Sequence, residues 1–242
     1  MKRIRGLPVF LAVVTLVLAG CGNPKGADKA DPVPVSKEIR PVTSLSDTPS
    51  HPESPPEGPD TSVIEALASS VLKLEVYNDR DSKIATGTGF VFGDPTMLIT
   101  SAHVIVNMER IAVTKDNGDT FEISDGAVYL DKDRDIAMFR LPEGMDIPAV
   151  EPAEAVPKRG TPVFTIGSQA GLTNLVTTGI ISGTWEDNGT DYLIFTAPVS
   201  GGNSGGPIFD SGGKLVGVVI GTYEKAQNLN IGLCAQELPE TE

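Results

Sequence analysis

From Ser70 onward no stretch of the chain repeats its apolar residues at helical spacing. Short apolar segments rich in β-branched residues alternate instead with clusters of Gly, Asn, Asp and Pro, a pattern that predicts strands and tight turns. Strands are expected near Val71–Tyr77, Thr86–Phe92, Met97–Ser101, Arg110–Thr114, Thr120–Ile123, Val128–Leu130 and Ile136–Leu141. A Pro- and Glu-rich crossing from Pro142 to Gly160 follows, and the pattern resumes near Val163–Ile166, Val176–Gly183, Tyr192–Thr196, Pro207–Phe209, Lys214–Gly221 and Asn230–Cys234. Asn117-Gly118, Asn188-Gly189 and Gly212-Gly213 supply the positive-φ residues of tight hairpins, which favours antiparallel meanders over βαβ units. The reading is an all-β fold with two groups of about six strands, preceded by a short helix-like segment from Ser62 to Ser69.

The first 60 residues have a different texture. A basic start (Lys2, Arg3, Arg5), an apolar run from Leu7 to Leu18 interrupted by Pro8, and a small-residue ending predict a signal peptide over residues 1–20 rather than a membrane span. Leu18-Ala19-Gly20-Cys21 resembles the lipobox of bacterial lipoproteins, which makes Cys21 the expected lipidation site and the first residue of the mature chain. With Cys21 acylated, Cys234 has no partner for a disulfide and reads as a small buried hydrophobe. From Gly22 to Asp60 the chain holds nine of its 19 prolines and few large apolar residues, so residues 21–60 are expected to be a disordered tether with a reach of roughly 35 Å. His51 falls in that tether, where nothing fixed would orient an imidazole.

Charge narrows the function classes. Loss of residues 1–20 would remove three cations and no acid, leaving 16 basic against 32 acidic residues and a net charge of −16 in place of −13. Such a surface repels phosphate backbones and anionic headgroups, so no nucleic-acid partner is expected and membrane attachment would come through the lipid.

The chemistry concentrates in Ser200-Gly201-Gly202-Asn203-Ser204-Gly205-Gly206-Pro207. One hydroxyl lies among glycines, whose freedom lets the backbone turn N–H groups toward a single point, as acyl transfer requires for its oxyanion. Gly202 and Ser204 are assigned as those donors. The same run satisfies the nucleophile elbow of α/β-hydrolases, but there the histidine follows the serine, and no histidine follows Ser204 in this sequence. His103, at the end of the apolar segment Leu98-Ile99-Thr100-Ser101-Ala102, is then the general base. Among Asp131, Asp133 and Asp135, only Asp135 abuts the following apolar strand and can be buried beside the imidazole, whereas the other two read as solvated turn residues. An EF-hand reading of this run fails, since Ile136 and Pro142 occupy the positions that need Gly and Glu. Two histidines, one of them in the tether, do not make a three-ligand metal site, so no metal and no cofactor is expected.

Thr100-Ser101-Ala102-His103-Val104, Asp135-Ile136-Ala137 with Leu141, and Gly202-Asn203-Ser204-Gly205-Gly206-Pro207, in this order, resemble the trypsin-like serine proteases, in particular the bacterial HtrA/Deg branch. Gly87-Thr88-Gly89-Phe90-Val91 is similar to the strand before the histidine there, and Asn230 to Ala235 to its closing strand. The resemblance covers about Val63 to Ala235 and implies two six-stranded antiparallel β-barrels within residues 61–242, the first over about 62–150 and the second over about 151–242. It implies a His103–Asp135–Ser204 triad and a primary specificity pocket walled by the segment before Ser204 and by Ile220, Gly221 and Thr222. Neither segment holds a carboxylate, so a small or medium apolar side chain is the expected preference.

Departures from the family pattern bear on regulation. Asn203 stands where the digestive branch has an aspartate that pairs with a new N-terminus, so activation by zymogen cleavage is not expected. Val104 replaces a disulfide cysteine of that branch, and Thr196 replaces an aspartate common before the serine loop of the HtrA branch. The sequence ends soon after Ala235, so no PDZ domain is expected. The function this implies is a serine endopeptidase acting on exported or misfolded proteins, lipid-anchored at a bacterial cell envelope. The alternative is a protease-fold lipoprotein with an inactive triad that serves as a binding module.

Overall fold

The computed structural model describes residues 58–223 and 227–240. The expected signal peptide, Cys21, the tether and His51 lie outside the described residues.

Helix α1 (Thr61–Ala68) begins at Asp60, whose carboxylate accepts hydrogen bonds from the Ser62 N–H and hydroxyl at 2.8 Å each. That cap satisfies one of the helix's free donors, and its acceptor bonds hold the Asp60 carboxyl below the usual carboxylate range. Val63, Ile64 and Leu67, spaced to share one face, pack on the core beside the barrels.

The first sheet contains β1 (Val71–Tyr77), β2 (Lys83–Val91), β3 (Met97–Ser101), β4 (Arg110–Thr114), β5 (Thr120–Ile123), β6 (Tyr129–Asp131) and β7 (Ile136–Arg140), in the order β5-β4-β1-β2-β3-β7-β6 and antiparallel throughout. Along β1, Leu72, Leu74 and Val76 turn inward while Lys73 and Glu75 stay partly exposed, the period-2 pattern of a half-buried strand. Their inner face meets Val91, Leu98, Ile111, Val113 and Phe139. This sheet has the seven strands expected from the apolar pattern, one more than the six of the barrel that the resemblance implies, and no backbone ladder joins its end strands β5 and β6. Those strands are only four and three residues long, too short to supply a continuous pairing edge.

The second sheet closes completely. It comprises β8 (Pro162–Gly167), β9 (Leu175–Asp187), β10 (Thr190–Phe195), β11 (Pro207–Asp210), β12 (Leu215–Thr222) and β13 (Asn230–Cys234), in the circular order β10-β13-β12-β11-β8-β9. Asn188 and Gly189 both have positive φ (52° and 82°), so β9 and β10 are joined by the turn that matches strand twist. The expectation of an all-β, trypsin-like double-barrel fold is met, with a closed six-stranded barrel in the second half and a curled sheet, open between β5 and β6, in the first.

A shared core welds the halves together. Phe90, Ile99 and Met138 of the first sheet lie in one cluster with Phe164, Phe209, Val218 and Leu233 of the second. The Phe164 and Phe209 rings sit 5.3 Å apart, and each fully buried phenylalanine contributes roughly 2–3 kcal/mol. Any site built from loops of both halves is held as rigidly as this core is packed.

Candidate active site

His103 sits in a single 3-10 turn (Ala102–Ile105) directly after β3. Ala102 and Val104 are buried on either side of it, which leaves the imidazole, 39% exposed, facing outward. Three acceptors of one residue hold this turn. The Asp135 carbonyl accepts the Ala102 N–H at 3.0 Å, Asp135 Oδ1 accepts the His103 N–H at 2.8 Å, and Oδ2 lies 2.6 Å from His103 Nδ1. An ionised carboxylate only accepts, so this contact fixes the proton on Nδ1 and leaves Nε2 as a free acceptor. Asp135 itself has φ 59°, a left-handed conformation that aspartate tolerates better than most residues and that aims its carboxylate back over the turn.

Asp131 and Asp133 play the turn roles expected of them. Asp131 Oδ1 accepts the N–H groups of Asp133 and Arg134 at 3.0 Å, and Asp133 is exposed. No cluster of three potential metal ligands occurs among the described residues.

The serine loop approaches from the second barrel. The Ser204 carbonyl accepts the Thr88 N–H of β2 at 2.9 Å, and the Gly205 N–H donates to Val219 O of β12 at 2.8 Å. Gly205 lies directly against Thr100 and Ser101, so the loop rests on the strand that ends in His103. The structure thus brings His103 and Asp135 into contact and sets the Ser204 loop beside them; no hydrogen bond joins Ser204 Oγ to His103 Nε2 in this state. Within the loop, the N–H groups of Asn203, Gly205 and Gly206 donate to Ser200 O, Val219 O and Asn203 O. Those of Gly202 and Ser204 donate to no protein acceptor. The loop thus spends three of these five N–H groups on its own backbone and leaves two without a protein acceptor.

Ile220, Gly221 and Thr222 end β12, where a bulge between Val219 and Gly221 shifts the pairing with β13. Ile220 packs on the shared core, and the space a side chain at Gly221 would fill is open. Thr196, in place of an aspartate, bonds within its own barrel, its hydroxyl accepting the Ile180 N–H at 3.0 Å. Cys234 is fully buried, and burial pushes its thiol up to about 12, which makes it an inert member of the barrel core.

Asn203 and Thr88 have surroundings at the site that the residue pattern alone does not give. Asn203 is buried (1% exposed), yet neither its side-chain oxygen nor its nitrogen has a partner, so the loop is not held by that amide. Thr88, a buried polar residue between two glycines in an apolar strand, is the signal that could have been found; its bonds are described below.

Residues 87–218 match the family model of the trypsin-like peptidase domain. The chain is 32% identical over 170 residues to the zebrafish (Danio rerio) serine protease HTRA1A, an alignment covering 64% of this chain and 35% of that protein. It is 30% identical over 185 residues to the mitochondrial serine protease HTRA2 of Bos taurus, covering 68% of this chain and 40% of that one. The aligned part therefore spans little more than a third of these relatives' length. Among solved structures, the Rv3671c protease of M. tuberculosis in its active form superposes with a TM-score of 0.65 at 26% identity, covering 81% of this chain and 91% of the other. With its match running from β2 through His103 and the Ser204 loop into β12, this chain belongs to the trypsin-like peptidase family and resembles its HtrA-type members.

Proposed function

We propose that the chain is a serine endopeptidase that cleaves peptide bonds with Ser204 as nucleophile, His103 as general base and Asp135 as the acid that orients it. In this reading Ser204 Oγ attacks the scissile carbonyl carbon and its proton passes to His103 Nε2. Asp135 keeps the Nδ1–H tautomer and offsets the imidazolium charge. The carbonyl electrons move onto oxygen, where the Gly202 and Ser204 N–H groups receive the oxyanion. Collapse expels the amine, which takes the proton from His103 Nε2, and leaves an acyl-Ser204 ester. Water then repeats the steps in reverse order of roles and releases the acid.

The observation that carries the reading is the 2.6 Å contact of His103 Nδ1 with Asp135, on a turn whose backbone the same carboxylate holds. The two unspent loop donors support the oxyanion assignment. Protein substrates follow from the family, and the absence of a carboxylate from Val199–Ser204 and Ile220–Thr222 favours cleavage after a small or medium apolar residue. The same proposal places the enzyme at a bacterial cell envelope, anchored by lipid on Cys21 and acting on exported or misfolded proteins.

Wild-type protein should degrade an unfolded test protein such as reduced casein, and Ser204→Ala should reduce the rate at least about 10³-fold, to the level that binding and the oxyanion donors alone sustain. Fragment mapping by mass spectrometry reads both the loss and the residue before each cut. Equal degradation by the two proteins would remove Ser204 from the mechanism. Folded wild-type protein that never cleaves, yet retains a tight partner equally well in the Ser204→Ala form, would favour the binding-module reading.

A further inference from the structure

Thr88 lies on β2 of the first barrel, fully buried, and makes four hydrogen bonds to three other segments. Its hydroxyl donates to Gly202 O at 2.6 Å, across 114 residues of sequence, and accepts the Ser168 N–H at 2.9 Å. Its backbone N–H donates to Ser204 O at 2.9 Å, and its carbonyl accepts the Thr100 hydroxyl at 2.8 Å. A hydroxyl has one proton to give, and this one is spent on Gly202.

The two carbonyls that Thr88 pins, those of Gly202 and Ser204, bracket the Asn203–Ser204 peptide, whose N–H is one of the two unspent donors. The other unspent donor belongs to Gly202 itself, held at a φ of 103° that only glycine adopts readily and with no side chain of its own to fix it there. Asn203 contributes no side-chain bond to this loop. At Gly202 the backbone also runs against Ser168 O, so a loop that loses its tie to Thr88 loses its register on Ser168 as well.

We infer that Thr88 is a positioning residue: its hydroxyl, reaching across the barrel interface, holds the Gly202–Ser204 backbone in the conformation in which both N–H groups face the reacting carbonyl. This deepens the endopeptidase reading and rests on it for the catalytic consequence, though not for the coupling between Thr88 and the loop. Thr88→Val keeps the shape and strand preference of the side chain while removing both hydroxyl bonds; Thr88→Ser keeps the bonds and removes a methyl.

The test compares wild type, Thr88→Val and Thr88→Ser in the full chain by two readouts. Hydrogen exchange at the bonded amides of Asn203, Gly205 and Gly206 should accelerate at least about tenfold in Thr88→Val and stay near wild type in Thr88→Ser. With a peptide substrate, Thr88→Val should lose about 100-fold in kcat with KM changed less than about threefold, because ground-state binding does not use the oxyanion donors, and Thr88→Ser should recover most of the loss. Unchanged exchange in the loop, or a defect that lies in KM alone, overturns the inference. Should Thr88→Val not fold at the assay temperature, Thr88→Ala removes the same hydroxyl and is read by the same two criteria. Wild-type protein inert toward substrate would defeat the endopeptidase reading, while the exchange comparison would still decide for or against the role of Thr88 in holding the loop.

Discussion

Replacing Asp135 with asparagine is expected to lower kcat on the order of 10³- to 10⁴-fold with little change in melting temperature. The two carboxylate oxygens serve two donors on one residue, the His103 backbone N–H at 2.8 Å and the ring Nδ1 at 2.6 Å. An amide has one acceptor. If its oxygen stays on the backbone N–H, its NH₂ group faces Nδ1, which must then surrender its proton and accept. The proton moves to Nε2, and the imidazole can no longer take one from Ser204. If the amide turns the other way, the ring keeps its tautomer but two N–H groups collide at the backbone of the turn, and the histidine is displaced. The fold should survive either outcome, because asparagine tolerates the left-handed φ of 59° at this position as well as aspartate does. Steady-state kinetics with an unfolded protein or peptide, beside a thermal melt, separates the two effects. A loss of less than about tenfold would mean that Asp135 only shapes the turn.

The largest effect on stability is expected at Gly205. A methyl group there would be driven into Thr100 Oγ1 and the Thr88 carbonyl and would come to 2.6 Å from the Ser101 N–H, in a backbone with φ of 82°. Three of the atoms it meets belong to β2 and β3, so relief requires moving the second barrel away from the first, against the shared phenylalanine core. Overpacking of about 1–3 kcal/mol and about 1–2 kcal/mol for the left-handed backbone together give about 4 kcal/mol. For a domain of this size that corresponds to a fall of about 10–15 °C in Tm. Gly201, with open space at the same position, should accept alanine with a change of about 1 kcal/mol or less, so the pair serves as its own control. Comparable melting of the two variants would show that the barrels do not depend on close approach at the serine loop.

Strand positions were legible wherever burial and the hydrogen-bonded ladder end together. β1, β3, β4, β5 and β13 begin and end at the residues expected from the apolar pattern. β9 runs instead from Leu175 to Asp187, beyond the expected Val176–Gly183, since Thr184 to Asp187 pair with β10 across the hairpin without a buried residue among them, and Trp185, 43% exposed, is their one apolar side chain. β2 begins at Lys83 rather than Thr86 for the same reason, its exposed first residues pairing with Tyr77 and Val76. The failure of β5 and β6 to pair depends on how far a sheet curls, which no local pattern encodes.

At the site, His103, Asp135 and Ser204 could be named from residue type, neighbours and chain order. The left-handed backbone of Asp135 and the use of both its oxygens on one residue could not, because they follow from where β7 enters the sheet beside β3. Thr88 stands out in the sequence as a polar residue between two glycines in an apolar strand, but its bonds could not be read there, for a related reason. Its partners are 80 and 114 residues away, and only the packing of one barrel on the other brings a strand hydroxyl to a loop carbonyl.

The central claim is that Ser204 is made nucleophilic by His103. Intact wild-type protein treated with a fluorophosphonate and mapped by tandem mass spectrometry should carry one phosphonyl adduct on Ser204, and His103→Ala should form it at least about 10³-fold more slowly. Folded wild-type protein that forms no adduct, or forms it equally fast without the imidazole, would contradict the claim.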